Sequence, residues 1–138
     1  MRYRSLITLV FCIALQLAPT SARATSNYQY ERDEYVLIQK GLSPDKKYSI
    51  AAHGGGDLGY DDFHIYLMNG KTGKKIGPLE EIKDTLDTGA DAFRAKWSAD
   101  SKQVTISYRI DRHVVVAIRY RIDKGRAFKI SGPKVETP

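Results

Sequence analysis

The sequence predicts an all-β fold, an antiparallel meander of about eight short strands in two small sheets. Two long runs, residues 103–110 and 114–122, carry a β-branched or aromatic residue at every second position, which is typical of half-buried strands. Residues 42–51 and 97–106 repeat one phrase, in which an apolar residue precedes a Ser-x-Asp turn and an alternating strand. Residues 79–87 have helical spacing, so we expect one short helix or turn there.

The two long alternating runs also predict how they pair. If both apolar faces meet one core, Tyr108 lies opposite Val116, and Ile106 lies opposite Ile118. This parity requires an odd loop, most simply residues 111–113, because a slip of one residue would turn one apolar set toward water.

The N-terminal residues 1–24 have the features of a signal peptide. A basic start precedes an apolar run at residues 6–15, and Ala22 and Ala24 occupy the positions that a signal peptidase reads. The apolar run is shorter than the roughly 20 residues of a membrane-spanning helix. We therefore expect a periplasmic or secreted protein with no membrane span after cleavage. The only cysteine, Cys12, would be removed with the signal.

Removal of the signal leaves 138 minus 24, or 114, residues, which suits one domain. Three of the 22 basic residues precede residue 25 and no acidic residue does, so the net charge becomes 19 minus 16, or +3. Nucleic-acid binding requires denser basic clustering than this, so we exclude nucleic acid as a partner.

We expect a flexible N-terminal arm at residues 25–34, a single all-β domain at 35–132 and a tail at 133–138. Turn residues such as Pro44 and Gly70 separate the alternating or apolar runs within the domain. The predicted strands are residues 35–38, 48–53, 63–68, 74–76, 93–97, 103–110, 114–122 and 126–131.

The repeated phrase carries a family resemblance. Ser43 and Ser98 are 98 minus 43, or 55, positions apart, which is within the range of propeller repeats that contain an insertion. Together with Ile65-Tyr66 and Thr72-Gly73-Lys74, the phrase resembles the blades of TolB-type periplasmic proteins and their WD-repeat-like relatives. The sequence departs from that family at three positions, since Lys46 and Ser101 replace glycine and Ala99 replaces proline.

The resemblance implies two propeller-blade-like units over roughly residues 42–128. A closed propeller needs at least about four blades. Either the two units fold together as a sandwich or open barrel, or several chains associate to complete a ring. We favour the first alternative, because 114 residues can form a core between packed sheets. The resemblance also implies a binding or interaction protein, since its turn residues shape a blade and catalyse nothing.

Arginines on the outward face of the long hairpin are candidate binding residues. Arg109, Arg119 and Arg121 alternate with the apolar positions, and Arg112 and His113 lie at the tip. Guanidinium groups bind carboxylates and phosphates. A solvated face and ordinary turn chemistry are the alternatives for these residues.

A Gly- and Asp-rich stretch supplies a second set of candidates. His53, Asp57, Asp61, Asp62 and His64 could gather a divalent cation, although their spacing matches no standard calcium or zinc pattern. A solvated acidic loop is the alternative. The phrase His-Gly-Gly-Gly that begins at His53 resembles an esterase oxyanion loop, but the Gly-x-Ser-x-Gly elbow is absent from the sequence.

We therefore expect a non-catalytic binding module without a cofactor, whose partner is a protein or an anionic cell-envelope component. The alternative is a metal-dependent hydrolase or metal-binding protein that uses the His53 to His64 loop. We also expect a monomer or weak dimer, because Lys74, Lys75, Arg126 and Lys129 interrupt the candidate edge strands.

Overall fold

The strands of the chain form one curled sheet. The computed structural model describes residues 27–54 and 63–137, so the predicted signal peptide lies outside the described residues. Within these ranges there are eight strands, β1 (Val36–Leu42), β2 (Tyr48–His53), β3 (His64–Asn69), β4 (Lys75–Pro78), β5 (Arg94–Trp97), β6 (Gln103–Asp111), β7 (Val114–Asp123) and β8 (Arg126–Val135). The all-β prediction is confirmed.

The sheet is built from two antiparallel meanders. We call β1–β4 the first unit and β5–β8 the second unit. The strand order is β4-β3-β2-β1-β5-β6-β7-β8, so the two units meet where β1 pairs in parallel with β5, at Gln39 and Arg94. The two predicted small sheets are thus joined edge to edge into a single mixed sheet, which curls into a half-barrel. Of the predicted alternatives, this is the open barrel.

The inner face of the curled sheet holds one core that both units share. Alternating strand residues project inward, including Ile50 from β2, Ile65 from β3 and Ile106 from β6. Phe93 lies at the centre, with its ring 5.6 Å from that of Phe63 and 5.9 Å from that of Tyr108. Burial of these side chains is the main favourable contribution to folding, and it requires both units to be in place.

The long hairpin has the predicted register. Tyr108 lies opposite Val116, and Ile106 lies opposite Ile118. The connection differs from the three-residue loop that we expected at residues 111–113. The register shifts between Arg109 and Asp111, and Asp111 pairs with Val114. The connection is therefore a two-residue turn preceded by a bulge, and a bulge changes the parity as an odd loop would.

The two Ser-x-Asp turns have the same hydrogen bonds. Ser43 Oγ donates to Asp45 Oδ1 at 2.7 Å, and Ser98 Oγ donates to Asp100 Oδ1 at 2.6 Å. The backbone N–H of Lys47 adds a bond to Asp45 at 3.0 Å. These bonds lower the pKa of both carboxyls, chiefly through the Lys47 amide at Asp45 and through the Ser98 hydroxyl at Asp100. The repeated phrase thus forms a repeated structure.

Each of the two turns contains a non-glycine residue in the left-handed backbone region. Lys46 and Ser101 replace glycine, and both have positive φ, 61° and 60°. Glycine adopts this region without steric cost, whereas other residues are strained there. Ser101 has a compensating role, because its Oγ accepts a hydrogen bond from the backbone N–H of Asp45 at 3.0 Å. The turn of the second unit therefore contacts the turn of the first.

Residues 79–87 form turns, so the helical alternative for this segment is wrong. Glu81 and Asp84 have φ of 73° and 55°, which an α-helix excludes. Leu79 and Ile82 are buried against the sheet, so the apolar spacing reflects core packing of an irregular segment. A single 3₁₀ turn follows at Ala90–Ala92. The described ranges contain no helix that is long and apolar enough to span a bilayer.

Both ends of the described chain pack against the domain. In the predicted arm, Tyr30 is only 7% exposed, and its hydroxyl donates to the Thr88 carbonyl at 2.6 Å. At the other end, β8 continues through Gly132 and Pro133 to Val135, into the predicted tail. Proline is tolerated there because β8 is an edge strand. In an edge strand every second backbone N–H points away from the sheet and forms no hydrogen bond within it.

We predict that Ile118→Ala lowers the free energy of unfolding by about 2–5 kcal/mol, because it removes a buried side chain and leaves a cavity. The Ile118 side chain is 0% exposed. Ile110→Ala is the matched control, since Ile110 is 42% exposed at the hairpin bulge. Urea denaturation measures both changes. A loss at Ile118 no larger than the loss at Ile110 would contradict the inward facing of β7.

Candidate functional site

The outer face of the second unit carries rows of cations. Residues that lie directly opposite each other on neighbouring strands project from the same face. In one row Arg94 pairs with Ser107, and in the next Lys96 pairs with Thr105. The rows continue to Ala117 and Arg119 on β7, and then to Lys134 and Ser131 on β8. A third row contains Gln103, Arg121 and Phe128.

We call five exposed side chains of these rows the cationic face: Arg94, Lys96, Arg119, Arg121 and Lys134. In the first two rows the residues that pair with these cations are small or hydroxyl-bearing, namely Ser107, Ala117, Thr105 and Ser131. The two ion pairs among the described residues, Arg109 with Asp87 and Lys129 with Glu81, use none of the five. The cationic face therefore keeps its positive charge available to a partner.

Phe128 gives the cationic face an apolar edge. Its ring is 41% exposed and lies under two guanidinium groups, with Arg121 Cζ at 5.5 Å and Arg126 Cζ at 5.9 Å from the ring centroid. Cation–π attraction of this kind is worth about 0.5–1 kcal/mol at exposed sites. It keeps the Arg121 guanidinium beside the Phe128 ring.

Carboxylates border the cationic face on two sides: Asp123 lies two residues beyond Arg121 on β7, opposite Arg126, and Glu136 lies beside the first row. Glu136 accepts a hydrogen bond from Ser107 Oγ at 2.8 Å, and its backbone N–H donates to the Val115 carbonyl at 2.9 Å. The acid is therefore fixed at the C-terminal end of the chain, beside the row that begins at Arg94. The rows that contain Arg119 and Arg121 have no acid among their paired positions on β5–β8.

Arg109, which the sequence placed in the candidate site, has a different environment. Its Nε and Nη2 donate to both oxygens of Asp87, at 3.0 and 2.9 Å. The Asp87 side chain is 1% exposed. The hydrogen bond to this carboxylate raises the pKa of Arg109. Its charge thus neutralises a buried acid and anchors the turn segment to β6, where Leu86 N also donates to the Arg109 carbonyl at 2.9 Å.

Arg112 and His113 lie apart from the cationic face. Both are exposed in the two-residue turn between β6 and β7. Six residues separate His113 from Arg119 along β7, which corresponds to about 20 Å at a rise of ~3.3 Å per residue. The structure therefore brings Arg119 and Arg121 together and leaves the tip residues at the far end of the hairpin.

The candidate metal ligands are only partly described. Asp57, Asp61 and Asp62 lie outside the described residues. His53 and His64 are direct cross-strand neighbours on β2 and β3. The Nδ1 atom of His53 is 2.6 Å from the Glu34 carbonyl oxygen, so this nitrogen must carry the proton. No three His, Cys, Asp or Glu side chains in the described part of the chain are grouped as a metal site.

Sequence reasoning missed Arg94, Lys96 and Lys134 as members of the cationic face. The sequence did indicate that Arg94 and Lys96 share one face of a strand, because residues 93–97 were expected to form a strand and alternate between apolar and cationic side chains. Their position beside Ser107 and Thr105 depends on which strand pairs with β6, and local alternation carries no information about that. Lys134 was missed because residues 133–138 were expected to be a tail.

Comparison of the chain with protein-family models, with curated proteins and with solved structures gave no match. The functional interpretation therefore depends on the site geometry.

We predict that Arg109→Ala lowers the free energy of unfolding by about 3–5 kcal/mol, because it breaks the ion pair and both hydrogen bonds that Arg109 makes with the buried Asp87 carboxylate. Arg119→Ala is the matched control and should change stability by no more than about 0.5 kcal/mol, since Arg119 is exposed. Thermal and urea unfolding of both variants measure the difference. Equal and small effects would show that the Asp87 pair does not stabilise the fold.

Proposed function

We propose that this chain is an exported, non-catalytic binding protein whose cationic face holds an anionic partner in the periplasm or outside the cell. The observation that carries the proposal is the set of five aligned cations, none of which forms an ion pair with another described residue. The partner is a protein with an acidic surface or an anionic cell-envelope component, and no cofactor takes part.

The physical argument begins with the free protein. Arg119 and Arg121 lie two residues apart and project from the same face of β7, so their like charges repel each other in the free protein. A carboxylate or phosphate placed between Arg119 and Arg121 would relieve this repulsion and would accept charge-assisted hydrogen bonds from both guanidinium groups. The hydroxyls of Thr105 and Ser131 flank Arg119 in the same row and can donate to the same anion.

The likeness to TolB-type and WD-repeat-like blades belongs to the same proposal. Two features support it: each unit is a four-stranded antiparallel meander, and the Ser-x-Asp turns share their hydrogen bonds. A blade-like sheet that presents an outer face to a partner suits an interaction module. We also propose a monomer or weak dimer, because charged residues interrupt both edges of the sheet at Lys75, Arg126 and Lys129.

We predict that Arg119→Glu combined with Arg121→Glu lowers affinity for an anionic probe at least tenfold, which corresponds to about 1.4 kcal/mol. The probes are immobilised poly-L-glutamate and phosphatidylcholine vesicles that contain phosphatidylglycerol, measured by surface plasmon resonance at low salt. Binding of the unmodified protein should weaken as salt rises, because surface charges are screened. Lys71→Glu with Lys74→Glu is the control, since it changes the net charge equally in an exposed turn of the first unit.

The melting temperature of the Arg119/Arg121 double variant should stay close to that of the unmodified protein, since both side chains are exposed. Preference for poly-L-glutamate would indicate a protein partner, and preference for vesicles an envelope component. Binding that survives the double reversal, or that the control reduces equally, would reject the cationic face. Stoichiometric bound metal, together with an activity lost in His53→Ala or His64→Ala, would favour the metal-dependent alternative.

A further inference from the structure

A separate cavity lies on the outer face of the first unit, near the end of β2 and the start of β3. Its volume is about 430 Å³, and its wall contains three tyrosines, two histidines and two cations. This volume is within the range of small-molecule sites, which is about 300–1,000 Å³. None of its lining residues belongs to the cationic face, so the cavity requires its own explanation.

Aromatic rings form the wall of the cavity. The His53 ring stacks on Tyr35, with centroids 4.1 Å apart and planes 21° apart. Tyr66 meets Tyr35 edge to face at 5.5 Å, and His64 meets Tyr66 in the same way at 5.9 Å. Tyr66 is itself buried, which fixes its position in the wall. The rings therefore provide a rigid surface against which a ligand ring can stack.

One nitrogen of the His53 ring can give the wall of the cavity a hydrogen-bond acceptor. Its Nδ1 lies 2.6 Å from the carbonyl oxygen of Glu34. A carbonyl oxygen only accepts, so Nδ1 carries a hydrogen, and in the neutral form of the ring the lone pair is then on Nε2. That nitrogen can accept a hydrogen bond from a ligand hydroxyl. Cross-strand pairing places His64 directly beside His53, so a second imidazole lies within reach of the same ligand.

Two cations complete the cavity. Lys75 Nζ lies 5.4 Å from the centroid of the Tyr66 ring, and Arg32 is also among the lining residues. No aspartate or glutamate side chain is among the described residues that line the cavity. Neither cation takes part in the two ion pairs of the described chain. The cavity thus combines ring faces, a hydroxyl acceptor and positive charge.

We propose that this cavity binds an acidic sugar, a hydroxylated ring that bears a carboxylate or a phosphate. The sugar ring stacks on Tyr35 through its C–H face, and one of its hydroxyls donates to His53 Nε2. The anionic group pairs with Lys75 and Arg32. Each part of this ligand corresponds to one part of the wall, whereas a simple phosphate ion would leave the rings unused and a neutral sugar would leave the cations unpaired.

The test is a proton NMR titration of the purified full-length chain, because its three histidines give separate ring signals. Glucuronate and glucose 6-phosphate are the probes, and they distinguish the carboxylate from the phosphate. Glucose, inorganic phosphate and uridine monophosphate are the comparison ligands. At least one acidic sugar should shift the His53 and His64 signals at millimolar concentration and leave the signal of His113, at the hairpin tip, unchanged.

Lys75→Gln should weaken the binding at least fivefold, and this exposed substitution leaves the core intact. Tyr35→Ala should weaken it further, with a folded one-dimensional spectrum as the check on structure. Arg119→Glu with Arg121→Glu should leave the titration unchanged. A negative result for the cavity can therefore be distinguished from a negative result for binding at the cationic face. The proposal is overturned if neither acidic sugar shifts His53, if glucose, phosphate or uridine monophosphate binds equally well, or if Lys75→Gln has no effect.

Discussion

The junction between β1 and β5 is the constraint on which the rest of the structure depends. Gln39 N donates to the Phe93 carbonyl at 3.1 Å, and Trp97 Nε1 donates to the Gly41 carbonyl at 3.2 Å. These bonds set the two units side by side with their apolar faces turned the same way. A Cβ atom at Gly41 would lie 2.6 Å from the Ile50 carbonyl oxygen, so a larger residue here would force β1 and β2 apart. A single core follows from this alignment.

The same alignment decides how the outer surface is arranged. With the inward positions occupied by the core, the other strand positions form the outer face, on which Ala51, Tyr66 and Met68 of the first unit are themselves buried. His53 and Arg94 lie two strand spacings apart and about four residues apart along the strands, which corresponds to roughly 15 Å. The aromatic cavity and the cationic face are thus neighbours with different chemistry. Under the two proposals, a small acidic ligand would meet only the cavity, whereas an extended anionic partner would be long enough to reach both.

Alternation in the sequence was sufficient to predict the strands and the hairpin register, because a one-residue slip would expose Ile106 or Ile118 to water. It could not predict the parallel pairing of β1 with β5, since local pattern does not say which strands meet. The pair of Arg109 with Asp87 was hidden for the same reason: the two residues are 22 positions apart and meet only through the turn segment. In that segment, Leu79 and Ile82 satisfied a helical spacing but are buried by tertiary packing.

Hydrogen exchange of Gly41→Ala tests the coupling of the two units most directly. The added methyl clashes with β2, so the strain arises within the first unit. If the junction and shared core couple the units, the opening free energies of the β2 amides and of the β7 amides should fall by the same amount. Faster exchange confined to β1–β4, with β6 and β7 as protected as before, would contradict the account and show two units that unfold independently.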